Sequence, residues 1–115
     1  MSSFEGRFQA CNRLKRPEEY KRVFSSKHRS SDKSFLFLAI NNGISLARLG
    51  LAVPKKYIHS AVDRNRLKRI IRESFRSRQK QLEGKDIVVV VKNRLDVNRE
   101  KIELMLIKHW DRIIK

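Results

Sequence analysis

The chain has 115 residues, 28 Lys and Arg against 12 Asp and Glu, and a formal net charge of +16. Such an excess repels itself unless a polyanion lies close by, so nucleic acid is the first expected partner and an anionic membrane surface the second. The hydrophobic share of 40% supports a core and excludes a wholly disordered basic tail, no apolar run approaches the roughly 20 residues of a spanning helix, and the single Cys11 excludes an internal disulfide.

Met1–Glu5 lacks the apolar stretch of a secretory signal, which together with the lone cysteine predicts a cytoplasmic protein. The length predicts one domain over 1–115. Residues before Pro17 are polar, basic and aperiodic, and read as an extended arm, mobile over about 1–12. Pro17, Glu18 and Glu19 look like a first helical turn, with proline at the first position and carboxylates where the helix dipole favours them. Tyr20, Val23 and Phe24 follow at helical spacing on one apolar face. Lys27–Lys33 is charged and serine-rich, and reads as a loop.

Phe35–Ile40 is an apolar run of strand type, and Asn41-Asn42-Gly43 supplies turn chemistry. Leu49–Val53 is a second strand, stopped by Pro54, and the two strands are able to pair as a hairpin. Gly50 inside that strand suggests a bend, the close approach of another backbone, or plain packing. From about Ser60 to Gln81 the pattern is helical, with Leu67, Ile70, Ile71, Ser74, Phe75 and Leu82 on one stripe. Gly84 ends it. Ile87–Val91 is the strongest strand, and its unbroken apolar character predicts a central position covered on both faces. Asn98 caps a last helix with Ile102, Leu106, Trp110 and Ile113 or Ile114 turned inward.

The long helix is the most informative element. Between Arg64 and Lys80 it holds eight basic residues and one acidic residue, Glu73. At roughly 100° per residue, Arg64, Lys68, Arg72, Asn65, Arg76 and Arg69 fall within an arc of about 140°, opposite the apolar stripe. A solvated charged face generally mixes signs, because like charges four apart repel by a few tenths of a kcal/mol each. This face is nearly uniform in sign and offers guanidinium forks suited to phosphate oxygens. Asn65 adds an amide able to reach a base edge or a 2′-hydroxyl.

The stretch Ala61-x-x-Arg64-Asn65-Arg66-x-Lys68-Arg69-x-x-Arg72-Glu73-x-Phe75-Arg76 resembles the Arg-Asn-Arg signature of the protein subunit of bacterial ribonuclease P. Arg13-Leu14 before Tyr20-x-x-Val23-Phe24, Arg48-Leu49-Gly50-Leu51 before Lys55-Lys56, and the valine strand resemble that family in type and order, over roughly residues 12 to 114. The resemblance implies an α+β fold: a single-domain two-layer sandwich with three helices and a mixed sheet of about four strands. The implied order is αβββαβα with a left-handed βαβ crossover, against the usual hand. Only three strands are evident, so the fourth would come from dividing the region between Phe35 and Pro54.

The resemblance also implies a division of labour, in which a catalytic RNA with its magnesium ions removes the 5′ leader of precursor tRNA. The protein assists the RNA and its ions and grips the leader. Catalytic residues and protein-held metals are therefore expected to be absent, as are membrane and DNA partners, and the protein is expected to be monomeric within the holoenzyme. Carried onto this chain, Arg64, Asn65, Arg66, Lys68, Arg69, Arg72 and Arg76 would face the catalytic RNA. Tyr20 and Phe24, with Arg13, Lys55 and Lys56, would serve the leader. An aromatic pair on a short helix is commonly core, and Lys55 and Lys56 fit a solvated loop equally well. Some relatives carry tyrosine where Leu38 stands, leaving one stacking or hydroxyl contact open.

The residues themselves yield no hydrolytic site. His28, His59 and His109 lack ligand spacing and read as surface or loop residues, and the carboxylates form no two-metal constellation. Cys11 reads as an incidental thiol and Trp110 as core. The competing readings are a basic RNA-binding protein of another ribonucleoprotein such as the ribosome, a DNA-binding helix protein and a protein-only nuclease.

Overall fold

The computed structural model describes residues 10–115. After a 3-10 turn at Ala10–Asn12 come α1 (Pro17–Phe24), β1 (His28–Ser31), β2 (Phe35–Asn41), β3 (Arg48–Ala52), α2 (Ala61–Arg78), a 3-10 turn at Gln79–Leu82, β4 (Lys85–Val91) and α3 (Arg99–Ile114). The sheet is mixed, with spatial order β1-β2-β4-β3. β1–β2 and β2–β4 are antiparallel, while β3 and β4 run parallel and are joined across α2.

The helix starts follow the sequence signals. Glu19 Oε1 accepts the backbone N–H of Arg16 at 2.9 Å ahead of α1, Ser60 Oγ accepts that of Asp63 at 3.2 Å in α2, and Asn98 Oδ1 that of Lys101 at 3.1 Å in α3. Gly84, at φ 84°, takes the left-handed turn that ends the α2 segment and admits β4.

Alternation along the central strands divides the core. Phe35, Phe37, Ala39, Ile87, Val89 and Val91 face α2 and α3, where they pack with Leu67, Ile71, Phe75, Ile102, Leu106 and Trp110. The indole N–H of Trp110 donates to Ser74 Oγ at 2.7 Å, so the one polar atom of that ring is satisfied. On the opposite face Leu38 and Val88 pack with Val23 of α1 and with Leu14. β4 is therefore covered on both faces, as its sequence predicts.

Four expectations are corrected. The fourth strand lies in the supposed loop at 27–33, since His28–Ser31 pairs with β2 from His28↔Ala39 to Ser31↔Leu36. Its polar sequence hid it because, on an edge strand, only Ser30 of the four is buried. Asp32 builds the turn, its Oδ1 accepting the N–H groups of Ser34 and Phe35 at 2.8 and 2.7 Å. β2 and β3 form no hairpin, because β4, apolar from Ile87 to Val91, inserts between them and pairs with both.

The described part of the N-terminal arm is docked rather than mobile; residues 1–9 lie outside the described residues. Buried Asn12 donates its side-chain amide to the carbonyl of Ala47 at 2.8 Å, and the Leu14 N–H donates to the carbonyl of Leu49 at 3.0 Å. These bonds lay residues 12–14 along the outer edge of β3. The last correction is His109, which is 1% exposed in the core rather than on the surface. His28 and His59 are exposed, as is Cys11. Among the described residues no helix is long and apolar enough to cross a membrane.

Candidate nucleic-acid interface

Burial of Leu67, Ile70, Ile71 and Phe75 fixes the rotation of α2 and turns its cations toward two different flanks. On the outward side Asn65, Arg69 and Arg76 are exposed, and with Arg72 and Glu73 they line a groove of about 490 Å³. Lys68 and Arg72 are half-buried and reach toward the edge of β3. There, with Arg13, Lys15, Tyr20 and Leu51, they line a second cleft of about 440 Å³. Arg72 belongs to both, so the two hollows form one continuous cationic surface. Burial, and after it the charge of Arg13, lowers the Arg72 guanidinium from its ordinary pKa, with Tyr20 opposing. Cations gathered at a half-buried place favour an anionic ligand, which would relieve their mutual repulsion.

The other flank of α2 is neutralised. Arg66 lies 3.5 Å from Asp63 and donates to the carbonyl of Val97 at 3.3 Å, and Arg78 meets Asp111 of α3 at 2.6 Å. Arg99 of α3 meets Glu73 at 2.8 Å. Arg64 is engaged differently, donating to the carbonyls of Ile58 and His59 at 3.0 and 2.8 Å and so tying down the segment that leads into α2. Of the seven α2 residues expected on one interface, the structure brings together Asn65, Lys68, Arg69, Arg72 and Arg76. Arg64 and Arg66 serve intramolecular contacts.

α1 lies over the face of the sheet opposite α2. Val23 is its buried residue, Phe24 is 44% exposed, and Tyr20 is half-buried with its hydroxyl donating to the Leu14 carbonyl at 3.3 Å. Leu36, Ile40 and Val90 leave a partly exposed apolar floor beside it. Tyr20 also lines the cationic cleft, so an aromatic ring borders both the apolar floor and the cations. Arg13 joins this cleft. Exposed Lys55 and Lys56 lie in the turn after β3, outside the cleft lining, with Lys56 Nζ 5.0 Å from the Tyr57 ring centroid.

Leu38 is fully buried beneath α1, so its side chain offers no ligand contact in this chain. Lys15 also lines the cleft and was not evident from sequence, because its placement depends on docking of the N-terminal segment. Among the described residues no three His, Cys, Asp or Glu side chains converge in a way that could hold a metal ion.

The sequence matches the family model for ribonuclease P over residues 8–114. The chain belongs to the ribonuclease P protein family. It is 49% identical over 102 residues to the ribonuclease P protein component of Vibrio parahaemolyticus, covering 88% of this chain and 86% of that one. It is 48% identical to the component of Aliivibrio fischeri, covering 88% and 87%. The fold resembles the RNase P protein of Staphylococcus aureus, with a TM-score of 0.79 at 30% identity over 87% of this chain and 93% of that one. The RNase P protein of Thermotoga maritima gives a TM-score of 0.69 at 29% identity, over 84% and 92%. As a ribonuclease P protein, the chain is the protein component of an RNA-containing endoribonuclease, and its cationic surface is where association with that RNA is to be sought.

Proposed function

We propose that the chain binds the catalytic RNA of ribonuclease P through Asn65, Lys68, Arg69, Arg72 and Arg76, and binds the 5′ leader of precursor tRNA beside α1. In this reading the RNA and its associated magnesium carry out the hydrolysis, and the protein works as a monomer in the cytoplasm. The observation that carries it is the partition of cations on α2. Its α3-facing flank is closed by Asp63 and Asp111, which hold Arg66 and Arg78, while Glu73, at the rim of the outward groove, is held by Arg99 of α3. Arg69 and Arg76 form no ion pair among the described residues and face outward. A fold that neutralises one side of a helix and leaves the other cationic presents that side to a polyanion.

Phe24 supports the leader assignment. A ring 44% exposed on a short helix beside an apolar floor is available to stack on a base, a contact worth about 1–3 kcal/mol. Tyr20 borders the cationic cleft, so one leader strand could stack on the ring and place its phosphates near Arg13 and Arg72. Lys55 and Lys56 would act at longer range as phosphate neutralisers.

The experiment is reconstitution. Mixed with its catalytic RNA at low magnesium, the protein should restore cleavage of precursor tRNA, and Tyr20→Leu with Phe24→Leu should weaken precursor binding far more than mature tRNA binding. Failure of the folded protein to stimulate cleavage would reject the assignment, and equal losses on both ligands would return the two rings to a packing role.

A further inference from the structure

Asp86, at the start of β4, is fully buried and holds together four parts of the fold. Its Oδ1 accepts Arg48 Nε at 2.7 Å and the Asn42 amide at 2.9 Å, and its Oδ2 accepts Arg48 Nη2 at 2.7 Å. The Arg48 guanidinium then reaches α1, its Nη1 donating to Glu19 Oε2 at 3.1 Å. Arg22, one turn further along α1, brings a guanidinium nitrogen within 3.6 Å of Asp86 Oδ2. Glu19 is bound at both ends, because its Oε1 accepts the backbone N–H groups of Lys15 and Arg16, each at 2.9 Å.

In a chain with a net charge of +16, two of the scarce carboxylates are thus used to set one short helix. α1 has eight residues and a single buried side chain, Val23, so packing alone is a weak constraint on its angle and register. A bidentate fork fixes direction as well as distance. Hydrogen bonding to Asp86, the largest influence, raises the Arg48 pKa, and the N–H of Arg16 lowers that of Glu19, so both partners stay charged across the working pH range.

We infer that Glu19, Arg48 and Asp86 are positioning residues for the leader site: the relay holds α1 so that Tyr20 and Phe24 meet the leader, without touching it. This rests on the leader-binding reading above. The test compares Glu19→Gln, which keeps an oxygen for the helix cap and removes the charge, with Arg48→Lys, which keeps the charge and removes the fork. The reconstituted holoenzyme is titrated with precursor tRNA and with mature tRNA, and each variant's affinity for the catalytic RNA is measured separately.

The expected result is a loss of about 5- to 10-fold in precursor affinity for each variant, with mature tRNA and catalytic-RNA affinities retained. Arg48→Gln should lose more than Arg48→Lys, so that restoring the cation restores part of the preference. Equal losses on precursor and mature tRNA would make the relay a folding element only and overturn the inference. So would an unchanged preference in both variants while Tyr20→Leu and Phe24→Leu abolish it. If the aromatic variants also leave the preference intact, the leader reading fails first and the inference falls with it.

Discussion

The ring of Tyr20 lies directly on Gly50: a Cβ placed on that glycine would stand 2.5 Å from Tyr20 Cε1 and 2.9 Å from its hydroxyl oxygen. The glycine leaves room for this ring, which reaches from α1 onto the backbone of β3 where a side chain would stand. Gly50→Ala should push the ring outward, break its hydroxyl bond to Leu14 and cost about 1–3 kcal/mol in denaturant unfolding. Adding Gly50→Ala to Tyr20→Leu should cost much less than adding it to the natural chain, because the clashing ring is gone. Additive losses would place the strain elsewhere.

The partition of α2 predicts unequal roles for residues of one type. Arg69→Ala and Arg76→Ala should each reduce the log–log salt slope of catalytic-RNA binding by about 0.7–0.9. Arg78→Ala should leave the slope nearly unchanged, since Asp111 already holds that guanidinium at 2.6 Å. Arg64→Ala should show mainly as a lower melting temperature, because the carbonyls of Ile58 and His59 lose their donor. Filter binding across a salt series, with a thermal melt for each variant, separates the three cases.

His109 gives the fold an acid-sensitive point. Its ring stacks on Phe37 with centroids 4.4 Å apart, Ser30 Oγ lies 2.7 Å from Nδ1 and Asp32 Oδ2 lies 2.7 Å from Nε2. Neutral His109 satisfies this arrangement, donating from Nε2 to Asp32 and accepting the Ser30 hydroxyl proton at Nδ1, while Arg112 donates to Ser30 at 3.3 Å. Burial lowers its pKa below the ordinary 6.5, Asp32 opposes the shift, and the charges of Arg112 and Lys92 reinforce it. The unfolded chain therefore binds more protons, so this contribution is full above about pH 6.5 and is lost as pH falls through the lower folded value. Urea midpoints should drop between pH 7.5 and pH 5.5, and His109→Gln should flatten that dependence. A midpoint that rises on acidification would mean that Asp32 outweighs burial.

Leu38→Tyr should destabilise this chain. Leu38 is fully buried with Leu14, Val23 and Val88, and a larger ring there must displace α1 at a cost of about 1–3 kcal/mol, visible in thermal unfolding. An unperturbed melting temperature would show that α1 can ride higher on the sheet without loss.

What could be read along the chain was whatever repeats within a turn or two. The stripe from Leu67 to Phe75 with its cationic counterface, the inward side of α3 and the two-sided burial of Ile87–Val91 all rest on side-chain periodicity, and together with net charge they pointed to a polyanion partner; the resemblance of the Arg64-Asn65-Arg66 stretch narrowed it to RNA. β1 escaped because a four-residue edge strand with a single buried serine has no such period. His109 escaped because its partners, Ser30 and Asp32, are 79 and 77 positions away.

The amino-acid sequence by itself determined the polyanion chemistry, the helices and the central strand, because helix and strand periods and charge density are local properties. Only the tertiary structure decided that β4 separates β2 from β3, that Arg66 reaches the Val97 carbonyl and Arg78 reaches Asp111 while Arg69 and Arg76 face outward, and that Asp86 reaches α1 through Arg48. Each depends on which distant residue arrives within about 3 Å, where hydrogen bonds and ion pairs act, and such meetings are set by how the layers pack.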